Sequence, residues 1–465
     1  MIRLFRQYFS GRKIIYIIGE GFLIFSAVTL TTYLLLGRGI GLLYTLELVW
    51  HKVLLVTLVT QLSLYFNDLY EFKVHSSPLD LASRLIQAIG TASIMLAVIY
   101  YLWPEIVVGR WIFFSSLIIL LFFLASWRFI YTLVIRKKLF TEKAVILGSG
   151  ELASNILDEI NNREDLSFDI TMRIVHENRR ENMDKDQDVR ISYGFDQLCE
   201  LIEKEGASSV IVALEERRGI FPYKQLLDCK LRGINILDGV SFYERITGKL
   251  LVEKINPSFL IFSDGFVKSA TSRLVKRFFG LFLSTVMLIF LSPIMLFTAI
   301  IIKLESPGPV LFKQERVGEY GELFTLLKFR SMRADAETAS GPVWASEDDP
   351  RITKVGSIIR KLRIDELPQM WNVFKGSMSF VGPRPERLFF VEQLTRKVPY
   401  YNERHCVKPG VTGWAQIRYP YGATEKDALE KLKFDLYYIK NLSFAFDLMI
   451  IFHTIKIVLL GRGSR

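Results

Sequence analysis

Cysteine is scarce in this sequence, with three residues among 465. Cys199, Cys229 and Cys406 lie far apart and show no spacing typical of a disulfide framework or a metal site. We therefore predict that all three are reduced, as expected in a cytosolic compartment. Internal repeats and low-complexity stretches are also missing.

A basic excess is absent from the first part of the chain. From Lys268 onward there are 30 Lys and Arg against 19 Asp and Glu, so the whole net charge of +11 belongs to the C-terminal part. Such an excess favours phosphates or acidic lipid headgroups as partners. Nucleic acid is disfavoured as a partner because the same part carries a long apolar segment.

Four apolar stretches are present near the N-terminus, and each approaches the ~20 residues needed to cross a bilayer. They cover roughly 14–36, 46–66, 81–103 and 111–135. The first lacks a small-residue cleavage site and more stretches follow, so it is not a removed signal. Basic residues precede the first stretch and follow the fourth, whereas the two short outside loops carry only Arg38 and Arg110. We predict a transmembrane bundle at 1–138 with both ends in the cytoplasm.

Residues 139–266 change character and predict a Rossmann-like cytoplasmic domain. Apolar strands near 142–148, 208–214 and 233–237 alternate with helical runs, which is typical of a parallel α/β sheet. The G-x-G-x-x-A pattern from Gly148 to Ala153 permits a dinucleotide phosphate at the helix start. No acidic residue stands clearly at the end of the next strand, so a structural or regulatory role is favoured over nicotinamide chemistry.

Residues 278–302 form a 25-residue stretch without a charge, long enough to span a membrane. Ser292 and Pro293 stand near its middle, where proline breaks the helical hydrogen bonds. Basic residues flank both ends, so we predict a re-entrant helix at 274–303 that enters and leaves on the cytoplasmic face. A proline-kinked fifth span is the alternative. The shorter apolar segment 447–460 predicts an interfacial helix or one docked on the catalytic part.

Polar motifs crowd together between residues 306 and 413, and they favour phosphoryl transfer. Asp365 and Glu366 are adjacent carboxylates before a proline, within a field of basic residues. Carboxylates can hold Mg²⁺ or act as nucleophiles. A salt-bridged helix cap is the plain alternative for this pair. Asp348 and Asp349 could also bind a metal, although a solvated turn is favoured there.

Four basic residues are candidates for phosphate binding, since guanidinium and ammonium groups hold phosphate oxygens. Arg384 lies between two prolines that restrict its backbone. A strand through Lys328 and Arg330 would direct both side chains to one side. Contact with lipid headgroups is the alternative for these two. Arg360 precedes the carboxylate pair by five residues.

The segment from Val267 to the C-terminus resembles the bacterial sugar transferases, the polyprenyl-phosphate hexose-1-phosphate transferases. The strings SPGPVLFKQERVG, LLKFRSM, DDPRITKVG, DELPQMWNV, FVGPRPE, VKPGVTGWAQ and FDLYYIKN occur in family order and spacing. The four helices and the Rossmann-like part resemble the long members, with the exopolysaccharide-associated subgroup favoured. Two departures are Ser377, where many members carry Asp or Glu, and Ile364, where Leu is usual.

The resemblance implies an enzyme that transfers a hexose-1-phosphate from a UDP-sugar to undecaprenyl phosphate and releases UMP. It implies Asp365 as the nucleophile, Asp365 and Glu366 as Mg²⁺ ligands, and phosphate contacts from Arg360, Arg384, Lys328 and Arg330. It further implies a multi-pass protein of the bacterial inner membrane, with a small α/β catalytic domain at 267–465 on the cytoplasmic face. A homodimer is left open.

Two other functions are weighed against the transferase. A nucleotide-sugar epimerase or dehydratase would need a Tyr-x-x-x-Lys pair near the Rossmann-like part, and Tyr223 and Tyr243 have no lysine at that offset. An inactive assembly protein is disfavoured because the carboxylate pair is intact. The sugar cannot be derived from the sequence, although glucose or galactose is favoured over an N-acetylated sugar.

Overall fold

The chain divides into two compact units in a computed structural model. The first unit contains residues 1–2 and 8–242, and the second contains residues 3–7 and 243–465. The structure describes residues 2–4, 7–9, 11–36, 42–71, 78–136, 141–163, 165–176, 190–214, 221–254, 261–263, 265–266, 269–333, 350–420, 422 and 424–460. Two short strands, β1 and β2, pair near the N-terminus at Ile2–Leu4 and Gln7–Phe9.

Four long helices follow, each apolar enough to cross a membrane, as predicted. They are α1 (Gly11–Leu36), α2 (Leu42–Phe66), α3 (Pro78–Leu102) and α4 (Arg110–Arg136). Among the described residues of this bundle an ion pair is buried, with Arg128 Nη2 2.7 Å from Glu20 Oε1. Arg128 also donates to the backbone oxygen of Leu69, so the pair ties α1 and α4 to the end of α2.

A five-stranded parallel sheet with flanking helices completes the first unit and confirms the Rossmann-like architecture. The strand order is β5-β4-β3-β6-β7. The elements are β3 (Glu142–Leu147), α5 (Glu151–Asn161), β4 (Phe168–Val175), β5 (Arg190–Tyr193), α6 (Leu198–Glu205), β6 (Ser209–Val212), α7 (Tyr223–Leu231) and β7 (Asn235–Asp238). The predicted strands are β3, β6 and β7. Strands β4 and β5 were missed because polar residues interrupt their apolar pattern.

The prediction of three reduced cysteines is wrong for two of them. Cys199 on α6 and Cys229 on α7 form a disulfide, with Cα atoms 5.3 Å apart. The two residues are 30 positions apart in the sequence, and only the packing of α6 beside α7 brings them together. Cys406 is not in a disulfide within the described part of the chain.

The second unit begins at Tyr243, inside helix α8 (Gly239–Thr247) and earlier than the predicted boundary at residue 267. Leu250 and Val252 are buried in its core. The indole Nε1 of Trp414 donates to the backbone oxygen of Gly248 at 2.8 Å. These contacts make residues 243–254 part of the second unit, because removing them would open its core.

The apolar segment of the second unit is broken where the sequence predicts. Helices α9 (Ala270–Phe290) and α10 (Ser292–Glu305) meet at an angle of 60°. Pro293 lies in the first turn of α10, where its missing N–H costs no helical hydrogen bond. The Ser292 hydroxyl donates to the backbone oxygen of Ile289 at 2.7 Å. A bent span and a re-entrant helix are both compatible with this geometry.

The rest of the second unit is a small α/β domain with two two-stranded sheets, one antiparallel (β8-β9) and one parallel (β10-β11). Its elements are β8 (Leu311–Val317), β9 (Leu323–Phe329), α11 (Lys354–Lys361), α12 (Gln369–Lys375), β10 (Ser379–Val381), α13 (Leu388–Lys397), β11 (Gly410–Thr412), α14 (Trp414–Arg418), α15 (Glu425–Lys440) and α16 (Phe444–Leu459).

Helix α16 covers the segment predicted as interfacial or docked, and it is docked. Phe446 and Ile450 are buried in the core of the second unit. Its other face is apolar and exposed, with Leu448, Ile455 and Leu459 among the exposed residues.

Candidate active site

Asp365 and Glu366 lie in one short 3-10 turn, Ile364–Glu366, between α11 and α12. Asp365 is 7% exposed. Within the described part of the chain, no hydrogen bond or ion pair engages its carboxylate, although Glu366 beside it is heavily paired. The two neighbouring carboxylates therefore stand in different environments.

Glu366 is held by three cations. Its Oε1 accepts from Lys328 Nζ at 2.9 Å and from Arg384 Nη2 at 2.9 Å. Arg363 Nη1 lies 3.7 Å from its Oε2. Burial alone would raise the pKa of Glu366, but the charges of Lys328, Arg384 and Arg363 hold that pKa well below its ordinary value. Glu366 is therefore ionised and organises the cations around it.

The pKa of the Asp365 carboxyl is shifted in the opposite direction. Burial raises its pKa above the ordinary value, and the neighbouring charge of Glu366 adds to this effect. Lys328, Arg360 and Arg384 act against the shift without cancelling it. A raised pKa makes the carboxylate more basic, which suits a nucleophile or a metal ligand.

Lys328 and Glu366 meet because α12 is docked on β9. The side chain of Asn372 on α12 accepts from the backbone N–H of Leu327 at 3.1 Å and donates to the backbone oxygen of Thr325 at 2.7 Å. Its amide thus replaces a neighbouring strand along β9. Asn372 lies within a sequence motif but was not predicted as a site residue, because the motif does not show which way its side chain points.

The far end of α12 is held by two more cations. Arg277 on α9 donates to the backbone oxygens of Val373 at 2.7 Å and Phe374 at 2.8 Å. Lys408 donates to the backbone oxygen of Gly376 at 2.6 Å. Cations at a helix C-terminus satisfy its last carbonyls and interact favourably with its dipole. The motif lysine Lys408 therefore supports α12 in this structure.

Arg384 is presented by a loop whose backbone is closely held. Glycine is required at 382 and 410, since a Cβ on Gly410 would lie 2.1 Å from the backbone nitrogen of Gly382. The backbone oxygen of Arg384 accepts from Arg404 at 3.1 Å, and that of Pro385 accepts from Arg316 at 3.1 Å. The loop is anchored on both sides of the arginine, which fixes its approach to Glu366.

Arg330 does not join the carboxylate pair, contrary to the prediction that it faces the same side as Lys328. Strand β9 ends at Phe329, and the Arg330 guanidinium donates to the backbone oxygens of Ser306 at 2.7 Å and Pro307 at 2.9 Å. Arg330 is 5% exposed. It stabilises the turn after α10, which alternation along a strand could not reveal.

Arg360 lies in the last turn of α11, where its charge acts on Asp365. The departures Ile364 and Ser377 are accommodated locally. Ile364 packs against the apolar cluster that contains Phe329, and the Ser377 hydroxyl donates to the backbone oxygen of Asn372 at 3.2 Å. Asp348 and Asp349 lie outside the described residues.

The carboxylate pair is the candidate site for Mg²⁺. Among the described residues, no group of three or more His, Cys, Asp or Glu side chains could hold a metal ion. Mg²⁺ commonly binds through one or two carboxylates, with water and substrate phosphates completing its coordination. Asp365 fits that mode of binding, whereas both oxygens of Glu366 face cations, so the structure does not favour the predicted role of Glu366 as a second ligand.

Comparisons with known proteins place these residues in a family. Residues 271–461 match the family described as bacterial sugar transferase, and residues 65–219 match a CoA-binding domain. The exopolysaccharide production protein PSS of Rhizobium leguminosarum bv. phaseoli is 44% identical over 189 residues, which is 39% of this chain and 93% of that protein.

Two longer relatives match over more of the chain. A UDP-N-acetylgalactosamine-undecaprenyl-phosphate N-acetylgalactosaminephosphotransferase of Aeromonas hydrophila is 42% identical over 52% of this chain and 56% of its own length. An undecaprenyl-phosphate glucose phosphotransferase of Komagataeibacter xylinus is 34% identical over 69% of this chain and 60% of its own length. The matches thus span somewhat more than half of these two proteins. The family match over the site and the near-complete match to the Rhizobium protein show that this chain belongs to the bacterial sugar transferase family.

Proposed function

We propose that this protein transfers a hexose-1-phosphate from a UDP-sugar to undecaprenyl phosphate and releases UMP. One observation carries the proposal: Glu366 gathers Lys328 and Arg384, each at 2.9 Å, next to an Asp365 carboxylate that no described residue pairs. An available nucleophile beside clustered cations is what the attack of a carboxylate on a diphosphate requires. The names of the relatives support the same reaction class.

The reaction proceeds in two displacements at phosphorus. In the first, an oxygen of Asp365 forms a bond to the sugar-linked phosphorus, and the bond from that phosphorus to the UMP oxygen breaks. UMP leaves with the electron pair, and the sugar phosphate remains on Asp365 as an acyl phosphate. In the second, an oxygen of the lipid phosphate attacks the same phosphorus and restores the carboxylate. An acyl phosphate is reactive enough for this second transfer.

The cations around Glu366 oppose the negative charge of the diphosphate. Arg384 is 38% exposed in its side chain, so its guanidinium can reach a substrate oxygen while its loop stays anchored. Lys328 is less exposed, at 21%, and supplies a fixed positive charge from β9. Arg360, in the last turn of α11, contributes further positive charge at Asp365. Mg²⁺, when bound to Asp365, would supply further charge neutralisation at the phosphates.

The membrane arrangement is proposed together with the reaction. The bend at Ser292 and Pro293, and basic residues on both sides of α9 and α10, support a re-entrant hairpin. The catalytic unit would then lie on the cytoplasmic face of the inner membrane, where UDP-sugars are available. The step initiates an exopolysaccharide, capsule or O-antigen chain. The relatives' names include both an N-acetylated sugar and glucose, so the preference for glucose or galactose stays a prediction, as does a homodimer.

Trapping the covalent species tests the mechanism. Purified protein is incubated with labelled UDP-sugar and Mg²⁺ without lipid phosphate, and the label is mapped by mass spectrometry. We expect UMP release close to one equivalent and label on Asp365, and neither with Asp365→Asn. Label on another residue, or full turnover by Asp365→Asn, would refute the aspartate intermediate. A panel of UDP-sugars, with UMP release as the readout, then identifies the sugar.

A further inference from the structure

Arg363 has a backbone conformation that arginine rarely adopts. It follows helix α11 with φ 55° and ψ 21°, in the left-handed region. Helices commonly end with such a residue, and glycine is the usual choice because its missing Cβ removes the strain. Non-glycine residues held in this region occur preferentially at functional sites. The turn that presents Asp365 and Glu366 therefore contains a strained arginine where glycine would fit without strain.

The side chain of Arg363 is directed to Glu366. Its Nη1 lies 3.7 Å from Glu366 Oε2, while the other oxygen, Oε1, is occupied by Lys328 and Arg384. The backbone closes the same turn, since the N–H of Glu366 donates to the backbone oxygen of Arg363 at 3.3 Å. Both oxygens of Glu366 therefore face cations, and only Arg363 approaches Oε2 among the ion pairs of the described residues.

On the basis of the proposed function, we infer that Arg363 is a positioning residue that holds Glu366, and through it Lys328 and Arg384, beside Asp365. The ion pair fixes the orientation of the Glu366 carboxylate at its second oxygen. Without it, Glu366 can rotate about its side-chain bonds, and the two cations that depend on Oε1 lose their fixed place. Arg363 itself need not contact the substrate. Its removal should therefore slow the chemical step more than it weakens UDP-sugar binding.

Three substitutions separate the side chain from the backbone conformation. Arg363→Gly removes the cation and relieves the strain, whereas Arg363→Ala removes the cation and keeps the strain. Arg363→Lys keeps both a cation and the strain. Each full-length variant is purified in detergent, and UMP release is measured against UDP-sugar concentration, together with the midpoint of thermal unfolding.

We expect Arg363→Gly to unfold at or above the wild-type temperature while its kcat falls about three- to tenfold, the range for a partly exposed ion pair acting indirectly. The KM for UDP-sugar should stay unchanged. Arg363→Ala should lose a similar rate and unfold at a lower temperature. Arg363→Lys should recover most of the wild-type kcat.

The outcomes decide between this inference and the proposed function. If the wild-type protein releases no UMP with any UDP-sugar, the proposed function fails. If the wild-type protein is active and Arg363→Gly matches it, only the positioning role fails. A slow Arg363→Lys variant that remains as stable as the wild type would show that the positive charge is not what matters. A rise in KM with unchanged kcat would assign Arg363 to substrate binding and overturn the inference.

Discussion

Arg404 Nη2 lies 2.8 Å from Asp435 Oδ2, and both side chains are almost completely buried. The same guanidinium group donates to the backbone oxygen of Arg384 at 3.1 Å and to the hydroxyl of Tyr401 at 2.6 Å. This buried pair therefore joins α15 to the loop that carries Arg384, which we propose binds phosphate.

Asp435→Asn should strongly destabilise the second unit. It leaves the buried charge of Arg404 without its partner, which typically costs about 3–5 kcal/mol. The free energy or midpoint of unfolding in detergent measures the loss. Glu425→Gln is the matched control, because its ion pair with Lys397 is exposed on both sides, and such pairs contribute only about 0–1 kcal/mol. Equal effects of the two substitutions would contradict the assigned role of the buried pair.

Arg384 and Arg330 should separate into a catalytic and a structural effect. Arg384→Ala should lower the rate of UMP release by about 10²–10³, the usual cost of losing one donor directed at transition-state charge. Its unfolding midpoint should change little, since its side chain is partly exposed.

Arg330→Ala should show the reverse pattern. It removes the buried guanidinium that donates to the carbonyls of Ser306 and Pro307. Hydrogen bonds to a charged group typically contribute about 1.5–3 kcal/mol to stability. Thermal unfolding and UMP release are measured on both variants. A stable Arg330→Ala variant with a severe loss of rate would restore the original prediction that Arg330 contacts phosphate.

Much of the fold follows from the sequence, but the different positions of Arg384 and Arg330 do not. Four membrane helices, the parallel sheet and the break at Pro293 follow from local properties, namely apolar length, alternation and the missing proline N–H. The motifs also indicated the residues around Asp365. The direction of a side chain depends on where its strand ends, and β9 ends one residue before Arg330.

Other features depend on packing between distant segments. Asn372 reaches β9, and Cys199 reaches Cys229, only after helices have docked. The unit boundary at Tyr243 was missed for the same reason, because Leu250 and Val252 become buried through contacts with residues far along the chain. The left-handed conformation of Arg363 could not be predicted from the sequence, because glycine is the residue that usually indicates this conformation.

The acid limb of the pH–rate profile should move when Arg360 is neutralised. Asp365 must be ionised to attack, and burial raises its pKa, so activity is lost as the pH falls through that raised value. The facing charges are Glu366, which raises the pKa, and Lys328, Arg360 and Arg384, which lower it. Removing one lowering charge raises the pKa further.

Arg360→Gln should therefore shift the acid limb of kcat/KM to higher pH. Lys361→Gln is the control, because this exposed neighbour on α11 is not among the main charges acting on Asp365. The profile is measured between about pH 4 and 8, around the range in which carboxyl groups with raised pKa values titrate. A shift to lower pH, or equal shifts in both variants, would contradict the assignment.

Truncation should depend on whether residues 243–254 are retained. The sequence predicts that a chain starting near Asp264 keeps some transferase activity, since the phosphate-handling motifs follow Val267. The structure adds that such a chain lacks Leu250 and Val252 from the core. We expect a chain starting at Gly239 to be more stable and more active than one starting at Asp264. UMP release and thermal unfolding compare the two, and equal behaviour would show that this segment is dispensable.

The bend between α9 and α10 should decide the topology of the membrane segment. If the segment is re-entrant, Lys268 and Lys313 both lie in the cytoplasm, and cysteines placed there in a cysteine-free background react only with reagents that reach that side. Lys268 lies outside the described residues, and Lys313 is on β8.

Replacing Ser292 and Pro293 by Ala and Leu removes the break, because the helix can then continue its hydrogen bonds through this point. The straightened segment should expose Lys268 and Lys313 on opposite sides and impair UMP release, since Arg277 on α9 holds the end of α12. Ser292→Ala alone is the control, as it keeps Pro293 and should preserve the topology. Opposite-side labelling in the unaltered protein would show that the segment is a fifth, kinked span.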